Sequence, residues 1–412
     1  MEESIRFSKE MHGLVDIMTM RSDIVDPQHP IGYEQNPRPY VYMAEGVMAG
    51  APEIAVAASS GLFDPEANEK LLSAGKAHLV SMARAFISNP EYGKLVYVGK
   101  PKELVPCIRC NKCLRAGPSE PWLTVCTVNP ARGMEHFMKD LQPLDGTAKK
   151  VAVIGGGPAG MMAALTARQQ GHQVHLFEKT DRMGGLLNHC DTVEFKWPLR
   201  AYRDYLVRQV QANPDIMVHM NCAPVAEWLE AEGFEVVIAA VGSEPALPPI
   251  PGADAPFVKF GKDVFGHESE LGARVVIVGG GEIGVECGIQ LARKGHRVTV
   301  LEMTDKLARE ADHNHYYSMV QAAWEREENF TGIVGATCTK IEAHQVTYRD
   351  GQGSLHSIPC DSVVLSAGMR AKTEEALSYA GAGQLFRMVG DCKKAASLQQ
   401  ALRSAWTTAK TI

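Results

Sequence analysis

Val151-Ala152-Val153-Ile154-Gly155-Gly156-Gly157-Pro158-Ala159-Gly160 decides the fold. An apolar run rich in β-branched residues passes straight into a glycine-rich turn, the pattern of a buried parallel strand. The spacing then predicts a helix over Met161–Gln170, closed by Gly171, and a second strand, Gln173–Phe177, that ends in Glu178. Strand, turn, helix, strand and acid in this order make a dinucleotide-binding unit. Gly155 permits the tight turn, Gly157 lets the backbone approach a pyrophosphate, and Gly160 allows close helix–strand packing. The helix start offers unpaired N–H groups to phosphate, and Glu178 can accept from ribose hydroxyls.

The unit recurs about 120 residues later as Arg274-Val275-Val276-Ile277-Val278-Gly279-Gly280-Gly281-Glu282-Ile283-Gly284. A helix to Lys294-Gly295 follows, then the strand Arg297–Leu301 ending in Glu302. A carboxylate at this strand end suits the free 2′-hydroxyl of NADH and repels the 2′-phosphate of NADPH. NADH is therefore expected over NADPH at Gly279, Gly281, Gly284 and Glu302.

Upstream lies a different chemistry. Cys107-x2-Cys110-x2-Cys113-x12-Cys126 places three thiols in one tight wrap and a fourth, expected on a returning strand, across from them. A [4Fe–4S] cluster needs four thiolates, and repeated x2 spacings let one loop cap three irons. Structural zinc more often uses two separated CxxC pairs, so iron–sulfur is the favoured metal reading and zinc its rival. Arg109, Lys112 and Arg115 interleave the ligands, as an anionic cluster or a plain solvated loop would both accept. The remaining thiols, Cys190, Cys222, Cys287, Cys338, Cys360 and Cys392, are expected to be buried and inert.

The first hundred residues alternate helix and strand. A helix over Glu3–His12 and strands over Gly13–Met20, Pro52–Ala58 and Ala77–Ala83, with a helix Pro65–Ala74 between the last two, read as βα units of a parallel sheet. Three such units leave two open edges, which a globular protein must cover. Lys and Arg number 42 against 48 Asp and Glu, a formal charge of −6 that excludes a basic nucleic-acid footprint. No apolar run approaches a membrane span, the opening residues carry no leader pattern, and the uneven cysteine spacing fits a reducing, cytoplasmic setting.

Taken together, the chain resembles the iron–sulfur branch of the old yellow enzyme superfamily, whose members include dienoyl-CoA reductase, 2-enoate reductase, NADH:flavin oxidoreductases and trimethylamine dehydrogenase. The four-cysteine loop, Thr127-Val128-Asn129-Pro130, Met82-Ala83-Arg84-Ala85-Phe86, both glycine fingerprints and Gly390-Asp391-Cys392 carry the resemblance. It implies an α/β architecture in three parts. Residues 1–105 would be the last three βα units of a (βα)8 TIM barrel, and 106–149 a loop-rich 4Fe-4S segment with its linker. FAD-binding segments at 150–270 and 383–412 would flank an NAD(P)-binding insertion at 271–382.

The resemblance further implies FAD on Gly155, Gly157, Gly160, Glu178, Gly184, Gly185, Gly242 and Gly390, with Asp391 on the ribityl chain. Ala58, Ser59, Ser60 and Gly61 would offer N–H groups to an FMN phosphate and Arg84 would contact it, although Ala83 and Ala58 stand where the family favours glycine. Electrons would pass from NADH to FAD, to the cluster, to FMN, and onto an activated C=C bond of an enoate or enone. No proton donor is assignable. The alternatives are an electron-transfer, diaphorase-like subunit without its own substrate site, and an amine dehydrogenase. The expected partners are a small-molecule substrate and either an absent N-terminal segment, the preferred reading, or a second chain to complete the barrel. Self-association into a homo-oligomer is compatible with the sequence; nucleic acid and membrane are not expected.

Overall fold

The computed structural model describes residues 1–21, 41–59, 61–114, 125–141, 146–311 and 316–412. They form two compact units, Met1–Gly133 and Met134–Ile412. No described helix is long and apolar enough to cross a membrane.

In the first unit the order is α1 (Glu2–Glu10), β1 (Ile17–Met20), α2 (Val41–Gly50), β2 (Ala55–Ser59), α3 (Pro65–Ser73) and β3 (Leu79–Ser81). The strands are parallel in the order β1-β2-β3, with Met18 opposite Val56 and Ala58 opposite Val80. Each strand is shorter than its apolar run. Gly13 takes a φ of 77°, and the Leu14 and Val15 amides turn back to the Met11 carbonyl, so pairing begins only at Ile17. Pro52 has no amide hydrogen to give a ladder, and β2 starts three residues after it. Asp64 caps α3 by accepting from the Glu66 amide, with Pro65 at the first helical position. Val47, Leu62 and Leu71 pack with Met20, Val56 and Ala58 into one core. Among the described residues the outer edges of β1 and β3 pair with no further strand. Ile17 and Leu79 lie 52% and 41% exposed there.

The second unit holds two nucleotide-type halves. The first contains β4 (Lys150–Ile154), α4 (Pro158–Gln169), β5 (Gln173–Phe177), α5 (Trp197–Gln211), β6 (Ile216–His219) and β7 (Val236–Ala239). The second contains β8 (Val258–Phe260), β9 (Arg274–Val278), α6 (Glu282–Arg293), β10 (Arg297–Leu301), β11 (Phe330–Ile333) and β12 (Ser362–Leu365). The chain then returns through β13 (Leu385–Met388) and α7 (Leu398–Lys410). The sheets run β13-β7-β4-β5-β6 and β11-β10-β9-β12-β8, all parallel. Because β13 pairs with β7 and α7 packs on α4, the first half is built from both sides of the second. An antiparallel ribbon, Ser243–Pro245 with Met369–Ala371, carries the chain out and back.

One buried ion pair joins the halves. Lys196 Nζ bonds Glu286 Oε2 with side chains only 14% and 7% exposed. Burial works against the ammonium, but Glu286, together with Cys190 and Glu282, outweighs it and raises the lysine above its ordinary value. Around the pair, Arg293 stands 5.7 Å over the Phe195 ring and Gln290 donates to the Thr192 carbonyl.

Glu286→Gln strands the Lys196 charge in that interface and is expected to destabilise the second unit by about 3 kcal/mol, read as a lower urea midpoint. A double Lys196→Met, Glu286→Leu variant should regain most of it, and an unmoved midpoint in Glu286→Gln would show that the pair contributes nothing. On the far side of the first sheet, His175 Nδ1 and His219 Nε2 sit 3.0 Å apart. Burial lowers both pKa values, and at His175 the His219 ring adds to the lowering. A depressed imidazole contributes stability above the unfolded value of about 6.5 that is lost as pH falls through it. Thermal melts between pH 7 and 5 should show this drop, and His175→Phe should shrink it, leaving the part that belongs to His219.

Candidate functional site

Both glycine turns are stereochemically closed. Gly155 and Gly279 adopt φ of 108° and 106°, reachable only without a side chain. A Cβ on Gly160 would lie 1.8 Å from the Gly155 carbonyl oxygen, and one on Gly284 1.9 Å from that of Gly279. These glycines are demanded by the protein's own backbone.

Gly157 and Gly281 are not. Their φ values of −72° and −65° suit any residue. A Cβ on Gly281 would meet nothing within 4 Å, and one on Gly157 only Gly185 Cα at 3.8 Å, an ordinary contact. Neither conformation nor crowding calls for glycine, so the space beside both is open to an approach from outside. It lies at the N-termini of α4 and α6, where N–H groups converge, as a pyrophosphate requires.

Glu178 and Glu302 do more than the sequence suggests. Glu178 Oε2 accepts from the Gly156 amide at 2.8 Å, while Oε1 accepts from the amide and hydroxyl of Thr180 at 2.9 and 2.8 Å. Glu302 repeats this with the Gly280 and Thr304 amides, each at 2.8 Å. A carboxylate has about four acceptor positions, so capacity for ribose hydroxyls remains at each. Sequence reasoning passed over Thr180 and Thr304. The signal was there: Glu178-Lys179-Thr180-Asp181-Arg182 and Glu302-Met303-Thr304-Asp305-Lys306 repeat in step with the glycines. Thr304 closes its loop by donating its hydroxyl to the Lys306 carbonyl at 3.1 Å, and Thr180 Oγ1, whose proton goes to Glu178, accepts from the Arg182 amide at 3.3 Å.

The first cradle gathers its other expected members. The Gly184 amide bonds the Gly156 carbonyl at 2.9 Å, and Gly185 faces Gly157. Gly390, at φ 67°, comes within 2.8 Å of the Ala159 methyl by its would-be Cβ, which seats the closing segment on the helix start. β7 ends at Ala239, the chain turns at Gly242, and Ser243 Oγ donates to Asp391 Oδ2 at 3.1 Å. Burial raises the Asp391 pKa. Ser243, an orienting partner unforeseen in the sequence, is thus what aims the expected ribityl contact. In the second cradle Ser366 Oγ, just past β12, is buried with no hydrogen-bond partner among the described residues. The Ser366 carbonyl would lie 2.4 Å from a Cβ on Gly279, so the residue packs against the glycine turn, while its hydroxyl would lie 2.4 Å from a Cβ on Gly261.

The cysteine loop belongs to the first unit. Cys107, Cys110 and Cys113 are half-buried and Cys126 is buried. Burial, reinforced by the neighbouring thiols, pushes Cys113 up to about 11 and Cys126 to about 12, and raises Cys107. Cys126 is not on a strand: it precedes a bend at Thr127–Val128, and the Val128 and Asn129 amides bond its sulfur, donors that a strand would have spent on a ladder. The Arg109 amide bonds Cys107 Sγ at 3.4 Å, and Thr127 Oγ1 lies 3.2 Å from Cys110 Sγ. Amide donors to sulfur and an all-thiol set fit an iron–sulfur cluster, although no three metal-ligating side chains among the described residues are gathered around a single ion position. Arg109 is 4% exposed and Lys112 half-buried, so neither is a freely solvated cation. Arg115 and Ser60 lie outside the described residues. Gly61 takes φ 73°, Ser59 Oγ is committed to the Met20 carbonyl, and Arg84 Nη1 donates to Asn111 Oδ1 at 2.6 Å, towards the cysteine loop. Of the six scattered thiols five are buried, but Cys222 is only half-buried.

Residues 149–386 match the family described as pyridine nucleotide-disulphide oxidoreductase. A bilirubin reductase of Mediterraneibacter gnavus is 31% identical over 379 residues, covering 91% of this chain and 58% of that protein. An NADH oxidase of Thermoanaerobacter brockii is 31% identical over 392 residues, covering 92% and 58%. A solved 2-naphthoyl-CoA reductase, bound to 2-naphthoyl-CoA, superposes on the whole chain with a TM-score of 0.91 at 25% identity, the chain covering 62% of it. The chain spans about three fifths of the length of these relatives.

The two kinds of glycine separate by mutation. Gly281→Ala should leave thermal stability unchanged yet weaken NADH binding at least about tenfold, roughly 1.4 kcal/mol, by fluorescence titration. Gly284→Ala should lower the melting temperature itself. Equal NADH affinity in wild type and Gly281→Ala would refute the reading of the open space.

Proposed function

Because this chain belongs to the pyridine nucleotide-disulphide oxidoreductase family, we propose that it is an NADH-dependent flavin and iron–sulfur oxidoreductase serving the reduction of an activated carbon–carbon double bond. The observation that carries this reading is the pairing of two complete nucleotide cradles with an all-thiol loop ringed by N–H donors. FAD falls to Gly155, Gly157, Gly160, Glu178, Gly184, Gly185, Gly242, Gly390 and Asp391. NADH falls to Gly279, Gly281, Gly284 and Glu302, and the cluster to Cys107, Cys110, Cys113 and Cys126. A flavin takes electrons in pairs and releases them singly, which is what joins a hydride donor to a one-electron cluster. We assign an FMN phosphate to the Ala58–Gly61 loop and Arg84, making the order NADH, FAD, cluster, FMN. The bilirubin reductase and the 2-naphthoyl-CoA reductase are named for conjugated, unsaturated molecules, which favours an enoate- or enone-like substrate class.

The chain's own residues supply binding and orientation. Ser243 holds Asp391 for the ribityl chain, Thr180 and Thr304 hold the two carboxylates, and Glu302 selects NADH by its charge. The open edges of β1 and β3 favour completion of a barrel by further βα units, from a longer polypeptide or from another chain. They equally favour a second reading, an electron-transfer unit without a substrate pocket. The amine-dehydrogenase reading fits less well, because the second cradle keeps every glycine and its acid.

Anaerobic titration of purified protein with NADH tests the proposal. Flavin and cluster absorption should bleach together, and metal analysis should find iron. A colourless, zinc-containing protein would overturn it. Bleaching followed by no turnover of added enone or enoate would move the assignment to the electron-transfer unit.

A further inference from the structure

Three segments far apart in sequence meet in the first unit at one aromatic ring. Phe63 follows Gly61 in the loop after β2, and both the Arg109 and Arg84 guanidinium carbons stand over its ring, at 4.8 and 5.3 Å from the centroid. Arg109 Nη2 also donates to the Gly61 carbonyl at 3.2 Å. Arg84 Nη1 donates to Asn111 Oδ1 at 2.6 Å, between Cys110 and Cys113. Arg109 and Asn111 each carry positive φ, 60° and 56°, while only 4% exposed. Left-handed backbone at buried non-glycine residues is unfavourable and persists where the surroundings over-determine it. Here the same twist that turns the Arg109 amide onto Cys107 Sγ accompanies the guanidinium stacked on Phe63. Only arginine can stack on a ring and donate in-plane to a carbonyl at once.

We propose that Arg109 and Arg84, gathered over Phe63, are positioning residues that tie the cysteine loop to the Gly61 loop and raise the reduction potential of the bound cluster. The inference rests on reading Cys107–Cys126 as a cluster site. Reduction adds negative charge to the cluster, and two nearby cations, the buried Arg109 and the half-buried Arg84, favour that state. Tying the loop that carries the sulfurs to the loop assigned to the FMN phosphate also fixes the distance an electron must cross.

The test uses the full chain purified without oxygen, with iron content and an EPR-monitored redox titration as readouts. Arg109→Met and Arg84→Met should retain iron but shift the one-electron equilibrium about tenfold towards the oxidised cluster, 59 mV lower. Arg109→Lys keeps the charge and should restore most of the potential, with a broadened EPR signal because the stack and the Gly61 bond are gone. If Arg109→Met fails to hold iron, Arg84→Met, whose backbone lies outside the cysteine loop, decides alone. Iron-loaded methionine variants with wild-type potential overturn the inference while leaving the cluster reading intact. A wild-type protein without iron overturns both.

Discussion

In each nucleotide half, a carbonyl oxygen occupies the place where a side chain would begin, 1.8 Å from the would-be Cβ of Gly160 and 1.9 Å from that of Gly284. That contact lets helix and strand close to the distance at which the helix start, the turn amides and the strand-end acid share one cavity. Everything at the cradles follows from it. Were the helix held further out, Gly156 and Gly280 could not reach Glu178 and Glu302, and the acids would lose the bonds that aim them. The open volume at Gly157 and Gly281 would then be an unshaped cleft. Packing here is therefore not background to binding; it sets the geometry of binding.

The parts of the fold most readable from sequence are those governed by this constraint. Strands Gln173–Phe177, Arg274–Val278 and Arg297–Leu301 begin and end where the pattern places them, because each is a short β-branched or apolar stretch stopped by a glycine turn or by the acid that follows it. The first unit is less readable. Its apolar runs outlast the strands, since Gly13 and Pro52 withdraw residues from pairing for local reasons that hydrophobicity does not register. The bend after Cys126 was hidden for a related reason. Thiol spacing reports which residues meet a metal, not which backbone donors serve the sulfurs.

Threonines 180 and 304 and Ser243 illustrate a further limit. Each is a small polar residue whose role is to hold an acid, and in sequence such residues are indistinguishable from loop filler. Only the second copy of the Glu-x-Thr-Asp-basic pattern makes the first visible, and Ser243 has no second copy. Arg109 is the opposite case. Its charge was plain, but a basic residue in a loop defaults to solvent, and only Phe63 and Gly61, more than forty positions upstream, explain its burial.

The insertion of one half within the other has a consequence for electron flow. Two strands of an antiparallel ribbon, Ser243–Pro245 and Met369–Ala371, are a slender connection on which to hold two cofactors in register. Ser243 stands at the root of that ribbon and bonds Asp391 directly, so the ribbon's position and the aim of the Asp391 carboxylate are set together. The buried Lys196–Glu286 pair supplies a second attachment on α6, the helix that begins at Gly281. Two separated attachments remove the rotation that one ribbon would leave free. The ion pair thus acts on geometry as much as on stability: Glu286 lies one turn into the helix that begins at the second glycine turn, and Lys196 caps the start of α5 in the first half.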